Sequence, residues 1–227
     1  MTGMTEPGSG GPGSWPGPRC RPHPPGTRPV PRDGRRHCGH LERVLVRQWE
    51  DGSPAPSPAL VRAVDRLADL PAHIADRLAD ELRGIWAGPG AVPDLDDLGR
   101  LRGVPINPDR PRITWDLAAG AFTHGLIAVG SAESASHDVM LHEIGHALDH
   151  IDQMSAGAEF TALHALVRPV LADTVYRDRP AELFAEGFAL AAAHYPAGLV
   201  TMMNGHEARA EVLWTYFGRH YLIGRQT

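Results

Sequence analysis

The sequence predicts an α+β fold, mostly helical, with a small antiparallel or mixed sheet behind a disordered Pro/Gly-rich tail. Three observations carry that expectation. Apolar residues recur at helical spacing from residue 57 to 86 and again from 137 to 222. Strand-like sequence is confined to residues 111–130, around a Gly-rich turn. The first 40 residues hold nine Pro and nine Gly, a composition with too little apolar surface to offset its ordering entropy.

Residues 1–48 are therefore expected to be disordered, with 41–49 forming a short helix or docking segment. This tail carries eight Arg against Glu6, Asp33 and Glu42, whereas the whole chain has a net charge of -5 and no Lys. An acidic body excludes a specific nucleic-acid binder, and a basic arm alone would touch polyanions only weakly. Cys20 and Cys38 are the only cysteines, so no disulfide framework is expected in the body. With His23, His37 and His40 they fit no tight metal knuckle. No run approaches the ~20 apolar residues of a membrane span. Residues 1–30 hold no apolar stretch suited to a signal peptide, which predicts a cytoplasmic protein unless another export route serves it.

Ser57 and Pro58 read as the cap and first position of a helix with apolar residues at 60, 61, 64, 67 and 70. Pro71 restarts the pattern, with Ile74, Leu78, Leu82 and Ile85 on one face. The segment "AGPGAVP" ends it, and Asp94 caps a short turn. Residues 49–103 are expected to form a helical subdomain and 104–227 the functional domain. Ser134 or Ser136 caps a helix over 137–151. Further helices are expected over 156–173, from Pro180 to a stop at Pro196, and over 206–222.

The chemistry is concentrated in "LHEIGH". His142 and His146 stand four apart on a helix, so both imidazoles leave the same face. A catalytic zinc site needs a few N/O donors and one open position, and Glu143 can serve beside it as the general base. This need sets the H-E-x-x-H spacing. Gly145 is a small residue beside the histidines, and Val139, Met140, Ile144, Ala147 and Leu148 pack the other faces. One Zn²⁺ per chain is expected. The third ligand is open among three acids. Asp152 follows His142 by ten residues, but Asp149 stands where the chain would need a glycine turn. Glu182 and Glu186 are i and i+4 on the helix after Pro180, so one could bind metal while the other orients a ligand histidine. Asp149, seven residues after His142, could accept a nearby hydrogen bond or oppose the helix dipole.

"HEIGHALD" followed by "Y…AELFAEGFA" resembles the catalytic domain of the anthrax lethal factor family, which includes bacterial Pro-Pro endopeptidases. The resemblance covers roughly residues 104–195. It implies a zincin-like metallopeptidase domain, with zinc on His142, His146 and Glu182 and with Glu143 as base. It also implies that Glu186 supports a ligand and that Tyr176 donates to the tetrahedral oxyanion. Tyr176 stands six residues before Glu182, where the family has seven. In zinc peptidases an edge strand holds the substrate backbone, and Gly125, Leu126, Ile127, Ala128 and Val129 are the candidate strand. The expected function is a zinc-dependent endopeptidase acting on a peptide or protein substrate. The motifs are also similar to the ImmA/IrrE group, which acts on transcriptional repressors, although the 36 residues from His146 to Glu182 are long for it. A non-catalytic zincin-fold binding module is the reading from another class, and the intact Glu143 argues against it.

Overall fold

The computed structural model describes residues 19–51, 56–108 and 111–223. Among them, strand β1 (Leu45–Arg47) leads to helices α1 (Pro58–Ala68) and α2 (Ala72–Glu81) and then to β2 (Gly84–Ala87). A long irregular segment precedes the hairpin of β3 (Gly120–Thr123) and β4 (Leu126–Val129). Six helices follow: α3 (Val139–Asp152), α4 (Ala158–Val167), α5 (Thr174–Asp178), α6 (Pro180–Ala192), α7 (Pro196–Met202) and α8 (Glu207–Tyr221). No described helix is long and apolar enough to cross a membrane.

The strands form one mixed sheet in the order β1-β2-β4-β3, parallel except for the β3–β4 hairpin. His124 and Gly125 close that hairpin, both at positive φ (48° and 75°), as a two-residue turn demands. Side chains alternate across the sheet. Ile85, Ala87, Ile127 and Val129 enter the main core with the helices. Trp86, Ala121 and Ala128 face a smaller cluster with Val92, Leu95 and Leu98.

Ser57 caps α1 through its side chain, which accepts from the Leu60 N–H, and Pro58 opens the helix as expected. The cap of α3 is Asp138, which accepts from the Leu141 N–H at 3.2 Å, rather than Ser134 or Ser136. Around α6, Phe160, Phe184, Phe188, Phe217 and Tyr221 stack mostly edge to face at centroid separations of 5.2–6.4 Å.

Three expectations are corrected. The tail is packed over its described part: Cys20, Cys38, Leu41, Leu45 and Trp49 are buried in the main core. Arg47 is 2% exposed. Its guanidinium donates to both Glu42 carboxylate oxygens at 2.8 Å and to the carbonyls of Gly34 and Arg36. Composition alone misses this, because the ordering comes from contacts between distant residues. Residues 1–18 lie outside the described residues.

The second correction concerns Ile85, which reads equally well as a helical position or as part of a short buried run. Here α2 ends at Glu81, Leu82 turns extended, and Ile85 sits in the sheet. The third follows from it. The sheet takes strands from both sides of the 48/49 and 103/104 boundaries, so residues 49–103 form no separate helical subdomain.

Candidate active site

The site rests on the crossing of α3 and α6. A Cβ on Gly145 would lie 2.7 Å from Ala185 Cα and 2.8 Å from its carbonyl oxygen, so only glycine lets the helices approach this closely. That approach brings the first turn of α6 over the histidine face of α3. His142 Nε2 and His146 Nε2 lie 3.1 Å apart, and Glu182 Oε2 lies 3.6 Å from each. These three atoms are a set that could hold a metal ion. Arg179, at 3.7 Å from the other Glu182 oxygen, leaves Oε2 for the histidines.

The electrostatics fit a cation at this point. The facing His142 and His146 nitrogens, 3.6 Å from its Oε2, hold the Glu182 carboxyl well below its usual range. Burial works against a charged His142, but the carboxylates of Glu182 and Glu186 outweigh it and push its pKa up to about 10. A metal would take the place of that positive charge and release a proton on binding.

Glu186 lies one turn further along α6, 4% exposed. Its Oε2 accepts from His142 Nδ1 and from Ser136 Oγ, both at 2.8 Å, and its Oε1 from the His137 N–H at 3.2 Å. Burial opposes the Glu186 charge, but these donors hold its carboxyl below the usual range. His142 Nδ1 must donate to an ionised carboxylate, so the proton that leaves when a metal binds comes from Nε2, and the lone pair it leaves there faces the donor set.

Glu143 is buried on the same face, and burial raises its pKa. It accepts a hydrogen bond from the Phe122 backbone in β3. Cavities of about 520 Å³ and about 310 Å³ flank Glu143 and share Gly120, His142 and Glu182. Ile106, Trp115, Phe122 and His150 wall the first, and Leu117, Val175 and Tyr176 the second. Burial, then the charges of Glu186, Asp173 and Glu182, raise the Tyr176 pKa and keep its phenol protonated.

Two candidates are placed elsewhere. Asp149 supports no histidine ligand: it accepts from the N–H and Oγ of Ser155, both at 2.6 Å, and ties down the end of α3. Asp152 is held by Arg77 and by the Tyr221 hydroxyl at 2.9 Å. The strand assignment is also corrected. Leu126, Ile127, Ala128 and Val129 form β4, which pairs with β2 on one side and β3 on the other. An inner strand has no free edge, and Gly125 sits in the turn. The free edge beside the site belongs to β3, whose Gly120, Ala121 and Phe122 line the larger cavity. Sequence reasoning also missed Ser136, His137 and Trp115. Only the run of small polar residues ahead of α3 hinted at the first two.

A helical pair of histidines and a glutamate from a crossing helix thus lie beside the small mixed sheet of an α+β fold. The chain is similar to the solved structure of PPEP-2, a Pro-Pro endopeptidase from Paenibacillus alvei. The TM-score is 0.60 at 22% identity, over 79% of this chain and 100% of that one, a likeness of fold. No family model and no curated protein matches the chain.

Proposed function

We propose that the chain is a zinc-dependent endopeptidase. The observation that carries this reading is the placement of Glu143 beside the donor set of His142, His146 and Glu182, between two cavities. Tetrahedral zinc with bonds of about 2.0–2.1 Å has ligand–ligand edges of about 3.4 Å. The donor triangle, with edges of 3.1, 3.6 and 3.6 Å, fits that requirement. Zinc held there would supply Lewis acidity to a water molecule and to the scissile carbonyl.

Glu143 would take a proton from the water and deliver it to the departing amine, and burial makes it a stronger base for the task. Tyr176 would donate to the carbonyl oxygen as negative charge develops. The free edge of β3 would hold the substrate as an added strand. Cavities on both sides of Glu143 suit a chain that passes through, hence internal cleavage. Their walls, with Ile106, Trp115 and Phe122 on one side and Leu117 and Val175 on the other, suit apolar side chains. A preference for Pro, named for PPEP-2, is one outcome to look for.

The test is cleavage of a diverse peptide library by zinc-loaded protein, with Glu143→Ala in parallel. Cuts made only by the wild type are expected. Their absence would overturn the peptidase reading and favour a binding module.

A further inference from the structure

Ser136 lies in the turn between β4 and α3, two residues before the Asp138 cap. Its hydroxyl donates to Glu186 Oε2 at 2.8 Å, the same oxygen that accepts from His142 Nδ1. The turn itself is pinned. The Ser136 N–H donates to Ser134 Oγ at 3.1 Å, Arg66 Nε donates to Asp138 at 2.7 Å, and the His137 ring stacks on Tyr195 at 4.5 Å. A terminal carboxylate torsion is broad and roughly two-fold, so a side chain alone does not fix the plane of its oxygens. Two donors from one anchored turn, the Ser136 hydroxyl on Oε2 and the His137 N–H on Oε1, do fix it.

We propose that Ser136 is a positioning residue of the metal centre. Its hydroxyl holds the Glu186 carboxylate in the plane where it receives His142 Nδ1–H, which aims His142 Nε2 at the donor triangle. Without that hydroxyl, Glu186 keeps one backbone donor on the far oxygen, and the His142 ring gains rotational freedom. The inference rests on the metal-binding reading above but needs no catalytic turnover.

The test is zinc affinity of the full chain by chelator competition, without peptide. Glu186→Gln is expected to weaken zinc by about 10–100-fold, as loss of a direct hydrogen-bond partner of a ligand does, and Ser136→Ala by about 3–10-fold, one contact further out. Ser136→Thr should restore affinity, because it returns the hydroxyl. Ser136→Ala added to Glu186→Gln should cost less than about twofold more, because the serine acts through the glutamate. Unchanged affinity in Ser136→Ala would overturn the proposal while leaving the zinc reading intact. So would a full additive loss in the double variant, the mark of a general structural effect. A wild type that holds no zinc would overturn both.

Discussion

Gly145 of α3 lies against Ala185 of α6 so closely that a Cβ on the glycine would fall 2.7 Å from the Ala185 Cα. His146 directly follows Gly145, His142 stands three residues before it, and Glu182 stands three residues before Ala185. The separation of two backbones thus sets the two edges of the donor triangle that run to Glu182. Gly145→Ala is expected to push the helices apart, at an overpacking cost of about 1–3 kcal/mol, and to weaken zinc. Denaturant unfolding and chelator competition read the two effects. Wild-type zinc affinity in this variant would show that the helix crossing does not place Glu182.

Glu182→Ala should abolish tight zinc binding, because only the two histidines remain. Asp152→Asn should keep full zinc stoichiometry and instead lower stability by about 1–2 kcal/mol through its bonds to Arg77 and Tyr221. Metal analysis and thermal melts of both variants separate the two acids. Retained zinc in Glu182→Ala would move the third ligand elsewhere.

Gly120 holds β3 against Glu143, the proposed base. A Cβ there would come 2.5 Å from Val139 Cγ1 and 2.6 Å from Glu143 Oε1. Gly120→Ala should therefore displace the Glu143 carboxylate and leave the three donors in place. Turnover is expected to fall by about 10–100-fold, the scale of a misplaced catalytic group, with near-normal zinc affinity. Equal losses in both would contradict this division of roles.

Arg47 and Glu42 anchor the N-terminal segment. Burial opposes the Glu42 charge, but the Arg47 hydrogen bonds prevail and hold its pKa below the usual value. A carboxyl with a lowered folded-state pKa stabilises the fold fully above its unfolded value of about 4.3, and that contribution fades as pH falls through the folded value. Glu42→Gln should cost about 3 kcal/mol at neutral pH, because it leaves Arg47 buried with a weakened partner set. The gap to wild type should begin to narrow below the unfolded value of about 4.3 and close as pH falls through the lower folded value. Removal of residues 19–40 should destabilise more strongly, since it deletes buried Cys20 and Cys38 and the carbonyls of Gly34 and Arg36. Urea melts across pH check both, and an unchanged midpoint would show that the segment is not part of the core.

Most helices were legible because helical spacing and caps are local signals. Ser57 with Pro58, and the Pro180 start of α6, marked two helix starts that the fold keeps. β2 was not legible, since Gly84–Ala87 continues the apolar spacing of α2 and only pairing with β1 and β4 makes it a strand. The short helix α5 was missed as well: five residues carry too little periodicity to register.

The sequence by itself determined the pairing of His142 with His146 and the place of Glu143 beside them, because one helix turn sets those distances whatever the rest of the chain does. It also marked Glu182 and Glu186 as acids of one helix face. Which of the two meets the histidine nitrogens, and which backs His142 from behind, depended on the contact of Gly145 with Ala185. The sheet order decided that β3 rather than β4 offers the free edge, and the Arg47 cluster decided that the tail packs. Each of these is a contact between residues distant in the chain, set by the fit of whole elements, which local spacing does not encode.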